Sequence, residues 1–182
     1  MHDFLDHLPR TTTMPPEPRR LHVRLADPLQ REQIIWLDKR EPDAWGSAEI
    51  YRHCYAKNCY VKEIDLGTNA TVGPVLGYLF YEQTERYIHI NRVRIAADHR
   101  RLGLGRTLIE HIKGRLTENR PIAEMMVNES DLATQCFLRS CGFICINTFD
   151  GYYGKGRHAR DAYAFRYIRP GFKRSFMQDE GK

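Results

Sequence analysis

The sequence of 182 residues lacks any long hydrophobic run, and its few cysteines include no Cys-x-x-Cys pair. No stretch approaches the roughly 20 apolar residues that span a bilayer. The first 20 residues carry acidic side chains and prolines where a signal peptide has an apolar segment. The five cysteines are odd in number and suit a reduced compartment better than a disulfide framework. We therefore expect a cytoplasmic protein with no membrane association and no metal site.

Basic residues exceed acidic ones, with a formal net charge of +5 and a pI near 9. Such a balance suits a protein that meets anions, which include nucleic acid, acidic surfaces and phosphorylated cofactors. No aromatic-rich strand motif for base stacking is present, which argues against nucleic acid. Five arginines crowd around one glycine loop: Arg92, Arg94, Arg100, Arg101 and Arg106.

The length and the 42% hydrophobic content predict one domain with a single substantial core. Residues 1–20 hold four of the nine prolines and show no hydrophobic period, which predicts a flexible arm. Residues 170–182 predict a flexible tail for the same reason. The globular domain is therefore expected over residues 21–169.

Hydrophobic periodicity and turn residues predict alternating helices and strands within that domain. Strands are expected at 21–26, 59–66, 75–81, 87–96, 123–128, 143–149 and 162–168. Helices are expected at about 28–40, 47–57, 103–118 and 130–139, with Asp27, Ser47 and Ser130 as caps. Three consecutive strands form an antiparallel meander, and the whole predicts a mixed α/β sheet.

A glycine-rich loop joins the third meander strand to a helix and is the strongest local motif. Glycines allow the backbone to approach an anion, and the first turn of the following helix presents free N–H groups and a favourable dipole. Flanking arginines can add charge-assisted bonds to phosphate. Leu108 stands where a dinucleotide-binding loop has its third glycine, and no Gly-Lys-Ser/Thr follows. The predicted anion-binding loop comprises Arg100, Arg101, Leu102, Gly103, Leu104, Gly105 and Arg106, in which residues 101–106 would hold a pyrophosphate.

These motifs resemble those of the GNAT family of N-acetyltransferases, and within it the branch that acetylates protein N-termini. The similarity covers about residues 21–169. It rests on the glycine loop, on Val127-Asn128-Glu129-Ser130-Asp131, on the helix that ends in Gly142-Phe143, and on the acidic-Trp-Gly segment 41–50. The resemblance implies a central sheet of about seven strands, mostly antiparallel, flanked by about four helices. It also implies acetyl-CoA as the cofactor and an amine as the acceptor.

The resemblance assigns further site residues by position. Main-chain groups of Val93, Arg94 and Ile95 would hold the pantetheine arm as an added strand. Asp131 stands where the branch usually has a cofactor-binding asparagine. The remaining similarity places Trp45 in the substrate loop, and Tyr152 and Tyr153 in a hairpin over the peptide N-terminus.

The sequence departs from the family in its acid–base residues. Met126 and Leu138 occupy the positions of the usual glutamate base and tyrosine acid, and neither can transfer a proton. Some relatives use a tyrosine early in the fourth strand, where this chain has His89, so His89 is the candidate base. An α-amine is easier to deprotonate than lysine, so this loss favours a protein or peptide N-terminus as the substrate.

Three alternatives stay open from the sequence. The same fold can accept a small amine such as a polyamine or an antibiotic. It can also serve as a non-catalytic acyl-CoA-binding module, which the residues Met126 and Leu138 would suit. A ribosome- or RNA-associated protein that uses its basic arm is the third.

Overall fold

The computed structural model describes residues 20–26, 30–41, 43–56, 59–67, 73–154 and 159–172. The expected arm at 1–20 and tail at 170–182 lie almost wholly outside these ranges, as does the expected cap Asp27. Within the described part, no helix is both long and apolar enough to cross a membrane.

The described residues form seven strands and four α-helices. The strands are β1 (Arg20–Leu25), β2 (Cys59–Gly67), β3 (Val75–Gln83), β4 (Tyr87–Ile95), β5 (Ile122–Asn128), β6 (Ile144–Tyr153) and β7 (Arg160–Ile168). The helices are α1 (Arg31–Asp38), α2 (Ser47–Tyr55), α3 (Leu104–Lys113) and α4 (Leu132–Ser140).

The strands join one sheet in the order β1-β2-β3-β4-β5-β7-β6. Among the described strand pairs, β4 and β5 run parallel and the other five run antiparallel. Hairpins join β2 to β3 and β3 to β4, α1 and α2 lie between β1 and β2, and the parallel pair requires the crossover through α3. The predicted mixed and mostly antiparallel α/β sheet is confirmed.

The helices cover the two faces of the sheet and bury separate clusters. On one face, α3 presents an apolar stripe of Leu104, Leu108, Ile109 and Ile112 to the sheet, spaced three or four residues apart. On the other face, α1 and α2 bury a smaller cluster against Tyr78 and Phe80 of β3. Its helical members are Ile34, Ile35, Leu37 and Ile50.

A β-bulge interrupts β4 near its middle. Ile90 pairs with Tyr81 and Arg92 pairs with Phe80, so Asn91 is the additional residue on β4. A bulge bends its strand and increases the local twist. The ladder between β4 and β5 ends at Ile90 and Met125, immediately before the bulge, so the two parallel strands diverge from there.

The structure corrects several expected boundaries. α3 ends at Lys113, not at 118. After Gly114 the backbone forms tighter hydrogen bonds between residues three apart, and Leu116 remains buried. The cap of α4 is Asp131, whose Oδ1 accepts a hydrogen bond from the Thr134 N–H at 3.0 Å, and is not Ser130. Likewise Gly46, not Ser47, caps α2.

The second hairpin is longer than its sequence indicates. β6 was expected to end at 149, but it continues to Tyr153 because pairing with β7 resumes beyond an irregularity, where Tyr153 lies opposite Arg160. Gly151 adopts a φ of 63° at this irregularity, a value that glycine reaches without strain. Tyr152 and Tyr153 therefore lie at a strand end and not in a loop.

Candidate active site

The opening between β4 and β5 is the central feature of the site. Beyond the bulge, residues 92–95 keep their pairing with β3, whereas their edge toward β5 has no ladder partner among the described strands. Unpaired backbone N–H and C=O groups at a strand edge can bind an extended chain. Val93, Arg94 and Ile95, to which the resemblance assigns a main-chain contact with the cofactor, lie on this edge.

The glycine loop lies where β4 leaves the opening. After a 3₁₀ turn at Ala97–His99, Arg101 and Gly103 adopt φ values of 65° and 83°. Gly103 is the N-cap of α3 and no side chain caps that end, so the first-turn N–H groups are available for an anion. A Cβ at Gly103 would meet nothing within 4 Å, so its backbone conformation is what requires glycine there.

At Gly105 the constraint is steric and does not come from the backbone conformation. A Cβ at this position would lie 3.2 Å from the Phe137 ring of α4. This glycine therefore lets α4 pack closely against the start of α3, whereas the sequence suggested that it lets an anion approach. Leu104 beside it is buried in the core, so the first turn of α3 is held by packing on both sides.

The basic side chains around the loop are not equally available to an anion. Arg106 donates to the Ser140 carbonyl at the end of α4 at 3.0 Å. Arg100 donates to the Ile95 carbonyl and forms an ion pair with Glu41 of the α1–α2 loop. The side chains of Arg101 and Leu102 are exposed. All three loop arginines are exposed, but Arg101 is the one with no side-chain hydrogen bond or ion pair to another described residue.

The α1–α2 loop is tied to the sheet by a buried polar cluster. The Asp38 carboxylate accepts hydrogen bonds from the Trp45 N–H at 2.6 Å, from Arg92 Nε at 2.8 Å, and from the Tyr78 hydroxyl. Arg92 also donates to the Asp43 carbonyl at 2.8 Å. Burial and the bond to Asp38 raise the pKa of Tyr78, so its hydroxyl remains a donor. These contacts fix the loop that carries Trp45.

The Trp45 side chain and its neighbours extend the contacts of the α1–α2 loop toward β4. Its ring stacks on the His53 ring of α2 with centroids 4.6 Å apart, and on Phe80 of β3 at 5.8 Å. His53 Nδ1 lies 3.9 Å from Glu82 Oε1, and Asn91 Nδ2 donates to the same oxygen at 3.1 Å. Stacked rings and polar side chains therefore line the α1–α2 face from the loop to the bulge.

His89 lies two residues before the bulge on β4. It is half-buried, and burial lowers the pKa of its imidazole, while the charges of Glu82 and Glu124 raise it in part. A histidine with a lowered pKa is neutral at pH 7 and can accept a proton. Its place beside the opening fits the role of a base.

The two tyrosines border the other side of the opening. The Tyr153 hydroxyl donates to the Met126 carbonyl of β5 at 3.0 Å. Burial raises the pKa of Tyr153 to about 12, so this hydroxyl donates and does not act as a base. Tyr152 is exposed and packs edge to face on Tyr153 with ring centroids 5.0 Å apart.

Two other positions named from the sequence have structural roles. Asp131 caps α4 through its side chain, as described above. Leu138 is fully buried in the core and so lies away from solvent. In the described part of the chain, no cluster of three His, Cys, Asp or Glu residues could hold a metal ion.

Sequence reasoning missed the polar residues that shape the site. Asp38, Arg92, Glu82 and His53 lie in two helices and two strands, and their contacts join residues far apart in the chain. Arg92 and Asp38, for example, are 54 residues apart. An arginine or aspartate inside an otherwise apolar stretch was the one available signal, since such residues are seldom buried without a partner.

Comparison with known proteins gives a consistent result. A family model described as an acetyltransferase (GNAT) domain matches residues 31–150. The catalytic subunit naa20 of the N-terminal acetyltransferase B complex of Schizosaccharomyces pombe is 26% identical over 122 residues, which cover 66% of this chain and 67% of that protein.

Two solved structures share the fold. NAA60 of Arabidopsis thaliana, in complex with a bisubstrate analogue, has a TM-score of 0.69 at 13% identity, covering 84% of this chain and 99% of that one. The ribosomal-protein-S18-alanine N-acetyltransferase of Escherichia coli has a TM-score of 0.67 at 16% identity, covering 82% and 94%. At these identities the likeness concerns the arrangement of strands and helices.

Proposed function

The chain belongs to the GNAT acetyltransferase family, and on that premise we propose that it acetylates the α-amine of a protein or peptide N-terminus, with acetyl-CoA as the donor. The observation that carries the proposal is the divergence of β4 from β5, with a neutral histidine on one strand and a tyrosine hydroxyl bonded to the other. The relative from Schizosaccharomyces pombe, an N-terminal acetyltransferase subunit, supports the choice of substrate class.

The residues around the opening fit acetyl-CoA. Gly103 caps α3 with a left-handed φ and no side-chain cap, which leaves backbone donors for a pyrophosphate. Arg101 is exposed beside it. The free edge of β4 at Val93–Ile95 can pair with the amides of a pantetheine arm. When bound, acetyl-CoA supplies the thioester carbonyl that a neutral amine attacks.

The acid–base groups of the site favour an α-amine over lysine. Reference pKa values near 8 and 10.4 differ by 2.4 units, so an α-amine costs about 3 kcal/mol less to deprotonate. Met126 cannot take a proton and Leu138 is buried in the core, so no strong base or acid stands at those positions. His89 is suited to accept the proton that the amine loses on attack.

The remaining site residues orient the substrate. Trp45, held by Asp38, lies on the α1–α2 side, and Tyr153 borders the β5 side. We propose that a peptide N-terminus passes between these two walls with its amine near His89. Positioning of this kind can supply much of the rate when strong acid–base groups are missing.

A substrate panel tests the proposal. Thiol release from acetyl-CoA would be measured with short peptides that have free or blocked N-termini, with lysine-only peptides and with small polyamines. We expect turnover confined to the free N-termini. Turnover on polyamines alone would indicate a small-amine enzyme, and cofactor binding without turnover on any amine would indicate a binding module.

Glu41→Gln is expected to tighten acetyl-CoA binding. The ion pair with Glu41 holds Arg100 away from an incoming pyrophosphate, and exposed pairs contribute about 0.2–1 kcal/mol. Releasing Arg100 should therefore lower the Kd about 2- to 5-fold, measured by isothermal titration calorimetry.

The control is Glu110→Gln, which removes a carboxylate paired with Lys113 on the outer side of α3. This variant should leave the Kd unchanged. The gain from Glu41→Gln should shrink at high salt because mobile ions screen exposed charges. An unchanged or higher Kd in Glu41→Gln would show that Arg100 does not contact the cofactor.

A further inference from the structure

Glu82 faces the candidate base across the β3–β4 ladder. The register of this antiparallel pair places Glu82 directly opposite His89. Side chains of residues directly opposite each other lie on one face of the sheet, with Cβ atoms about 4.5–5.5 Å apart. The face is the one that α1 and α2 cover, because Tyr78 and Phe80 of the same strand pack against those helices. The carboxylate and the imidazole therefore lie on the same side of the sheet as Trp45.

The Glu82 carboxylate is held in place from two directions. Asn91, the bulge residue, donates to Oε1 at 3.1 Å. His53, which is buried against Trp45, has its Nδ1 3.9 Å from the same oxygen and its Nε2 3.3 Å from Glu49. A neutral amide fixes the carboxylate without neutralising it. The bulge that opens the sheet thus also orients the charge nearest to His89 on β3.

The carboxylate on the other side of His89 is in a different situation. Glu124 lies opposite His89 on the parallel strand β5, but its carboxylate forms an ion pair with Arg166 of β7. The positive charge of Arg166 offsets the effect of the negative Glu124 carboxylate on the imidazole of His89. Glu82 has no arginine or lysine partner among its described contacts, so its charge acts on His89 with less compensation.

We propose that Glu82 is a positioning residue for His89. The Glu82 carboxylate stabilises the imidazolium that forms when His89 accepts the proton of the substrate amine. The proposal rests on the function proposed above and names a further residue of the same site. In that reaction the amine nitrogen would bond to the acetyl carbon, coenzyme A would leave as a thiolate with the electron pair of the broken carbon–sulfur bond, and the proton released by the nitrogen would pass to His89. The negative charge of Glu82 then lies beside the new positive charge.

The charges around His89 support this arrangement. Burial lowers the pKa of the imidazole, and the two facing carboxylates, Glu82 first and Glu124 second, oppose that effect. The other titratable groups near this network are His53 and Glu49 of α2, and Arg166 behind Glu124. A base with too low a pKa accepts protons poorly, so Glu82 would keep His89 basic enough to serve.

The test is Glu82→Gln, with Glu49→Gln as the matched control. Glu49 undergoes the same chemical change and also contacts His53, but it lies on α2 and not opposite His89. The first readout is an NMR titration of the His89 ring in the full chain without ligands. We expect its midpoint to fall by about 0.5–1 pH unit in Glu82→Gln and to stay unchanged in Glu49→Gln.

The second readout is the pH profile of kcat/KM on a free N-terminal peptide. The substrate amine contributes equally to every enzyme variant, so a difference between profiles belongs to the protein. Glu82→Gln should shift the acidic limb to lower pH and reduce the plateau about 3- to 10-fold, with KM for acetyl-CoA unchanged. Glu82→Asp, which restores the charge, should recover most of both effects.

The two readouts separate failure of the inference from failure of the proposed function. An His89 midpoint that is the same in Glu82→Gln and wild type, or that moves equally in Glu49→Gln, would overturn the role of Glu82. Absence of turnover on every amine by the wild type would overturn the proposed function instead, and the NMR titration would still decide whether Glu82 acts on His89.

Discussion

Replacing His89 by alanine is expected to lower kcat on a free N-terminal peptide by about 100- to 1,000-fold, the range that loss of a general base produces. His89 is neutral at pH 7 because burial lowers its pKa, and it lies where β4 begins to diverge from β5. Among the residues that border the opening, Met126 cannot accept a proton, and the pKa of Tyr153 is raised to about 12. The measurement is thiol release at saturating acetyl-CoA.

Two further measurements show whether the loss of kcat in His89→Ala reflects a missing base: the cofactor Kd of that variant and the kinetics of Tyr153→Phe. The cofactor Kd should not change, because the glycine loop and the free edge of β4 lie beyond the bulge. Tyr153→Phe should raise KM for the peptide without moving the pH profile, since the lost hydroxyl is a donor to the Met126 carbonyl. A loss below threefold in His89→Ala would mean that water takes the proton, and that His89 is an ordinary strand residue.

The order of helices and strands could be predicted because each depends on local pattern. Residues 87–95 and 160–168 alternate, and α3 carries apolar residues at helical spacing. Gly103 was expected at the helix entrance, and its left-handed φ gives a physical reason for glycine there. Such features depend on neighbours within about four residues, which a sequence displays directly.

The opening between the strands could be expected from a family resemblance but not from periodicity. It depends on a single extra residue, Asn91, whose effect appears only when β4 is paired with β3. The extent of β6 was missed for a similar reason, since its pairing with β7 resumes after an irregularity. Pairing across strands is a property of two segments, and neither segment alone reveals it.

The buried Asp38 cluster is the clearest case of long-range structure. Its three donors come from the α1–α2 loop, β3 and β4, up to 54 residues away. We expect Asp38→Ala to destabilise the protein by about 3–5 kcal/mol, because it leaves the buried guanidinium of Arg92 without its buried carboxylate partner. Urea unfolding followed by circular dichroism would measure the change.

The matched control is Asp43→Ala. Asp43 also pairs with Arg92, at 3.7 Å, and with Arg94, but its side chain is 61% exposed. Exposed pairs contribute about 0–1 kcal/mol, so this variant should lose no more than that. Because Asp38 also accepts the Trp45 N–H, its loss should raise the peptide KM even at low temperature, where the variant remains folded. Equal destabilisation by both variants would contradict the view that burial makes Asp38 the anchor of the α1–α2 loop.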